Sequence, residues 1–145
     1  MTNIVLDSSI FVKLFLEEDD TKTARDLITT IITEEHTILV PEIFNYEVFS
    51  AYCSNKESKI KLKTVYDWLK KCRPYITKSP LTEEVIEQAI DMTNHGHKKS
   101  GYPHFYDSIY HAIAIQEGCV FITANEKHFA KTHKKFGHIK LLKNV

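Results

Sequence analysis

The sequence predicts a single α/β domain over residues 1–145, with a central, mainly parallel sheet flanked by helices on both faces. Three observations predict it. Short apolar runs at 4–6, 38–40 and 120–123 read as buried strands. The longer stretches between them carry apolar residues at helical spacing, as crossover helices do. No internal repeat, low-complexity tract or Pro/Gly-rich linker divides the chain.

Taken in order, Ile4-Val5-Leu6 stops at Asp7-Ser8-Ser9, a strand followed by a turn into a helix. Residues 21–35 place Ala24, Leu27, Ile28, Ile31 and Ile32 on one helical face. Thr37-Ile38-Leu39-Val40 is a second strand, and Pro41 is expected to open a helix to about residue 53, where its missing N–H costs nothing. A helix over 59–71 carries Ile60, Leu62, Val65, Trp68 and Leu69. Tyr75-Ile76-Thr77 suits a short strand, and 81–92 suits a helix opened by Thr82 and acidic residues. A polar loop with Gly96 and Gly101 leads to a helix over 105–117, stopped by Gly118. Val120-Phe121-Ile122-Thr123 is a strand, a helix follows from Glu126, and Ile139-Lys140-Leu141-Leu142 is an edge strand.

The bulk composition is that of a globular protein: 43% hydrophobic, 26% charged, with 19 basic residues balancing 19 acidic ones. Global charge therefore neither demands nor excludes a nucleic-acid partner. Cys53, Cys72 and Cys119 form no CxxC pair and read as reduced core thiols. No signal peptide and no run near the ~20 apolar residues of a membrane span is visible. The expectation is a soluble, cytoplasmic protein without a membrane partner.

In open α/β folds, sites form beyond the carboxyl ends of the strands. Asp7 and Asn125 stand at such ends, although each also suits a helix N-cap, and Thr123-x-x-Glu126 fits a capping box. Glu47 has Ile43, Phe44, Ser50 and Ala51 as its helical neighbours, a mostly apolar stripe on which a carboxylate needs a cation or donor. Asp107 lies near the start of its helix. It can cap that helix or enter the same crevice, with His111 sharing its face.

Together these residues resemble the PIN-domain family, in particular the small toxins of VapBC toxin–antitoxin pairs. The resemblance covers nearly the whole chain. Ile4-Val5-Leu6-Asp7-Ser8-Ser9-Ile10-Phe11 matches the family's apolar strand, Asp and hydroxyl pair. Val40-Pro41 with Glu47-Val48 matches its proline and helical glutamate. Tyr106-Asp107-Ser108-Ile109-Tyr110-His111-Ala112 matches its Asp helix, and Phe121-Ile122-Thr123-Ala124-Asn125 its T-x-D segment. One departure stands out: position 125 is Asn where the family usually has Asp, so three carboxylates remain where the fuller pattern has four. Glu126 can substitute only if the turn shifts.

The resemblance implies a metal-dependent endoribonuclease, the toxin of a toxin–antitoxin pair, with catalytic residues Asp7, Glu47, Asp107 and Asn125. Asp7, Asp107 and Glu47 hold the metal, Mg²⁺ or Mn²⁺, and Ser9 and Thr123 support them. It also implies an RNA substrate, an antitoxin protein and a homodimer. The chemistry is coherent, because such cations take oxygen ligands and carboxylates in one crevice repel until a cation neutralises them. The alternative is a catalytically weakened module that binds RNA or protein, owing to Asn125. A phospho-acceptor role for Asp7 lacks the acidic pair that such domains carry.

Lys127, Lys131, Lys134, Lys135, Lys140 and Lys143, interleaved with His128, His133 and His138, form a basic stretch beside the expected site. Lys98 and Lys99 precede Asp107. They suit phosphate binding or simply a solvated face. The basic residues between Lys56 and Arg73 read as an ordinary exposed helix. His95, His97 and His104 raise zinc as a weaker option, without the spacing of known zinc sites.

Overall fold

The computed structural model describes residues 2–55 and 61–145. Strand β1 (Asn3–Leu6) leads into the short helix α1 (Ser8–Val12), followed by α2 (Thr21–Thr33), β2 (Thr37–Pro41), α3 (Phe44–Ser54) and α4 (Leu62–Cys72). Then come β3 (Ile76–Ser79), α5 (Glu83–Asn94), α6 (Phe105–Glu117), β4 (Val120–Thr123), α7 (Glu126–Phe136) and β5 (Ile139–Leu141). The five strands are all parallel, in the order β3-β2-β1-β4-β5.

That order follows from the sequence. Val5, Leu6, Ile38, Val40, Phe121 and Ile122 are buried, as a sheet covered on both faces requires. The chain winds outward from β1 to β2 and β3, then returns to lay β4 on the other side of β1. The carboxyl ends of β1 and β4 therefore flank the topological switch point, where such sheets open a crevice. The backbone N–H of Asp7 donates to Ile122 O at 3.1 Å, tying the two strand ends together.

An aromatic wedge holds the helices on one side. The Phe11 ring meets Phe44 edge-on at 4.9 Å, and Phe15 meets Trp68 at 5.2 Å, so α1, α3 and α4 interlock. Gly118 ends α6 in the left-handed region, with φ 64°.

Several expectations need correction. Pro41 ends β2 rather than opening α3. At the last strand position its missing N–H leaves no gap in the interior pairing. The buried face of α3 is Phe44, Val48 and Tyr52, one position round from the stripe expected beside Glu47; Ser50 and Ala51 are exposed. Cys53 is exposed rather than a core thiol, while Cys72 is buried, which pushes its thiol up to about 11. The expected start of α4 at Lys59 and Ile60 lies outside the described residues, as does Lys56 of the second basic stretch. Among the described residues no helix is long and apolar enough to cross a membrane.

Candidate active site

Asp7 leaves β1 in extended conformation and caps α1, its Oδ1 accepting the Ser9 N–H at 3.2 Å and, more weakly, the Ser8 hydroxyl at 3.4 Å. Its Oδ2 accepts the Thr123 hydroxyl at 2.7 Å, from the end of the neighbouring strand β4. Both oxygens are thus fixed while the side chain is almost wholly buried. Ser9 supports Asp7 through its backbone; its buried Oγ has no partner among the described residues.

Glu47 reaches the same crevice from the edge of α3. Tyr110 on α6 donates its hydroxyl to Glu47 Oε1 at 2.7 Å. Burial pushes the Glu47 carboxyl up, the Tyr110 hydrogen bond opposes this, and the negative charges of Asp7 and Asp107 add to the rise. The same burial and the Glu47 charge raise the Tyr110 hydroxyl, so it remains a donor across the working pH range.

Asp107 lies in the first turn of α6. Burial, and secondly the charge of Asp7, push its carboxyl up to about 6, against the Asn125 hydrogen bond and the nearby His104. Asp7, Glu47 and Asp107 therefore sit in one another's field. Among the described residues none of the three forms an ion pair.

Asn125 is the N-cap of α7, its Oδ1 accepting the His128 N–H at 3.1 Å. The other end of the amide must then be the donor, and Nδ2 gives its proton to Asp107 Oδ2 at 2.9 Å. Thr123 is not the cap expected from a capping box; its hydroxyl oxygen instead accepts the Asn125 N–H at 3.0 Å while its proton goes to Asp7. Glu126 faces away and pairs with Lys143 at 2.6 Å, so it offers no substitute carboxylate.

His111 does not share the crevice with Asp107. It is fully buried on the far flank, with Nε2 against Gly137 O at 2.6 Å and Nδ1 against His128 Nε2 at 3.1 Å. Burial lowers His111 to about 4 and, with neighbouring positive charge, His128 to about 3. Ser8 and Tyr110 also contribute contacts, although neither was among the expected site residues. The one available signal for Tyr110 was its spacing, three residues beyond Asp107 on the same helical face.

Among the described residues no group of three or more His, Cys, Asp or Glu side chains closes tightly enough to hold an ion by itself. That holds for His95, His97 and His104, which therefore form no zinc site. Each of the three carboxylates is held by hydrogen bonds, Asp7 by Ser9 and Thr123, Glu47 by Tyr110 and Asp107 by Asn125. The donor set nevertheless fits a hard cation: three carboxylates without a cationic partner, beside an unpartnered buried hydroxyl. Mg²⁺ keeps several waters and needs only one or two direct carboxylates.

The family model for the PIN domain matches residues 4–135. The chain belongs to the PIN domain family. Domains of this family are generally nucleases, and therefore hydrolases. No curated protein matches the sequence. Among solved structures this PIN domain is similar to VapBC2 from Rickettsia felis, bound to a DNA fragment from its promoter, at 14% identity and TM-score 0.66 over 96% of each chain. It is similar to FitAcB from Neisseria gonorrhoeae, at 14% identity and TM-score 0.67 over 95% of each chain. DNA-bound VapBC from Salmonella typhimurium gives 14% identity and TM-score 0.66, covering 98% of this chain and 99% of that one. At such identities the likeness establishes a shared fold.

Proposed function

We propose that this PIN domain is a metal-dependent endoribonuclease and the toxin of a toxin–antitoxin pair. The observation that supports this best is the trio Asp7, Glu47 and Asp107 at the switch point: burial and the neighbouring negative charges push the Glu47 and Asp107 carboxyls up, and among the described residues none of the three forms an ion pair. Burying uncompensated like charges destabilises a fold, so such a cluster marks a site whose partner comes from outside. A divalent cation bound there, Mg²⁺ or Mn²⁺, supplies the positive charge and Lewis acidity that phosphodiester hydrolysis needs.

The chain's own residues do the positioning. Asp7 is the most rigid ligand, locked by Thr123 and the α1 N-terminus. Tyr110 aims Glu47 and, by donating to its charged form, favours ionisation. Asn125 steadies Asp107 without adding charge. Ser9 offers its free hydroxyl to a water in the crevice. No side chain is placed as a covalent nucleophile in this reading.

The VapBC neighbours support an antitoxin protein as partner, and the reading itself carries an RNA substrate and a homodimer in the cytoplasm. A second reading, a weakened binding module, is favoured by one observation: Asn125 turns an uncharged donor nitrogen toward Asp107 while its oxygen caps α7, so it adds no negative charge to the carboxylates. Cleavage separates the two. Purified protein is expected to cut single-stranded RNA in Mg²⁺ or Mn²⁺, to stop on chelation, and to fall to background as Asp7→Ala or Asp107→Ala with the fold intact. Folded wild type inert toward every RNA over a full range of Mg²⁺ and Mn²⁺ leaves the binding-module reading.

A further inference from the structure

A second cleft opens beside the acidic crevice, between the 94–104 segment and α7. It measures about 730 Å³, and its walls include His95, His97, Tyr102, His104, Lys127 and Lys131. No acidic side chain lines it, and among the described residues Lys127 and Lys131 form no ion pair. An acid-free basic wall next to a trio of carboxylates sets up opposite ligand preferences a short way apart. The first draws a cation; the second draws an anion.

The cleft is a built feature. His97 and Gly101 exchange backbone hydrogen bonds of 3.1 and 2.7 Å, closing a tight turn, and Lys131 Nζ ties that turn to α7 through Tyr102 O at 3.4 Å. A Cβ on Gly96 would lie 2.6 Å from both Gly101 O and the Tyr102 ring, so the turn packs against Tyr102 only because position 96 is glycine. The cleft also adjoins the candidate active site. His104 caps α6 and lies in the field of Asp107, and Lys127 follows Asn125 by two residues. Tyr102 lines the cleft with its ring about half exposed, a face on which an unpaired base can stack, and the exposed Phe105 and Tyr106 follow it closely in the chain.

We infer that this cleft is a subsite for a nucleotide beyond the two that flank the cleaved bond, with Lys127 and Lys131 meeting its phosphate and Tyr102 stacking on its base. The inference rests on the ribonuclease reading of the neighbouring carboxylates. Its chemistry is that of single-strand recognition: cations follow the backbone, and an aromatic face takes an unpaired base of any sequence. A paired base has no free face to offer Tyr102, so the subsite selects unpaired RNA.

The test uses fluorescent single-stranded RNAs of two lengths: a core dinucleotide that holds only the cleaved bond and the same core extended by two nucleotides at either end. Binding to the cleavage-silent Asp7→Asn protein is read by fluorescence anisotropy in chelator, and cleavage by the wild type is read as kcat and KM in Mg²⁺. The extended RNA is expected to bind on the order of tenfold more tightly than the core. Tyr102→Ala and Lys127→Ala, each placed on the Asp7→Asn background for binding, lose that advantage. Tyr102→Phe, which keeps the ring, retains it. In cleavage the two alanine variants raise KM for the extended RNA and leave kcat unchanged.

A merely structural role weakens both lengths alike and overturns the inference. So does an extended RNA that gains nothing over its core in the wild-type cleft, or an acidic peptide that binds the cleft while RNA does not. If the wild type binds with the length dependence but cuts nothing, the ribonuclease reading fails while the subsite stands.

Discussion

Asn125 uses both ends of its amide, the oxygen on the α7 N-terminus and the nitrogen on Asp107, so its substitution has a defined physical outcome. Asn125→Asp keeps the cap, since either carboxylate oxygen accepts the His128 N–H. Its second oxygen then faces Asp107 where a donor stood, and two like charges at hydrogen-bond distance cannot both ionise freely. The variant is expected to melt lower than wild type in chelator and to gain more from Mg²⁺, with equal or faster cleavage at low Mg²⁺. Thermal melts across a Mg²⁺ series check this, and an unchanged melting point in chelator contradicts it. Tyr110→Phe removes the donor that holds Glu47 toward its ionised form. Activity or metal affinity is expected to fall about 10- to 100-fold, as for other residues that orient ligands. The acidic limb of the pH–rate profile moves to higher pH, because Glu47 then takes up a proton more readily. A limb that stays in place counts against this role. The four motif positions were legible because each sits at an element end or breaks a pattern. Tyr110 was not, because nothing in its spacing tells which side chain α3 will bring opposite it.

Elements were legible where one physical signal dominated. The α6 span and β4 were read to the residue, since Gly118 punctuates one and an unbroken apolar run marks the other. Strand β3 was read only in part, because its exposed Thr77 and half-exposed Lys78 give it little hydrophobic signature at the sheet edge. The α3 face was misassigned by one position. The pairing of Pro41 with Ser79, which keeps position 41 in β2, and the Phe11–Phe44 contact, neither visible in local spacing, decide how that helix sits. Gly118 gives the element-scale prediction. A Cβ there meets nothing within 4 Å, so Gly118→Ala carries only the backbone penalty of φ 64°. The expected loss is about 1 kcal/mol by denaturant unfolding, with cleavage unaffected. A loss several times larger would mean that the α6–β4 turn does more than end a helix.

At the scale of the molecule, two sets of buried groups give the stability opposite pH dependences. His111 and His128 titrate near 4 and 3 in the fold instead of the ordinary 6.5, so their contribution is full above that value and is lost as pH falls through 4 and then 3. Asp107 runs the other way: raised from 3.8 to about 6, it favours the fold at low pH and that contribution is lost as pH rises through about 6. Glu47 is shifted in the same direction. A cation competes with protons on the carboxylates and leaves the histidines alone. Saturating Mg²⁺ is therefore expected to raise Tm at about pH 7.5 and to do little at about pH 5. The rise shrinks in Asp7→Ala, and equal shifts at both pH values exclude carboxylate binding. The fold class was legible at this scale, because alternating apolar strands and amphipathic helices admit few other arrangements. The Thr123–Asp7 hydrogen bond joins positions 116 residues apart, with Glu47 and Asp107 contributed from between them. During synthesis the first carboxylate leaves the ribosome long before the strand that fixes it, so no nascent fragment short of β4 holds an assembled site. Any activity of the proposed site can therefore begin only once β4 has emerged and paired with β1.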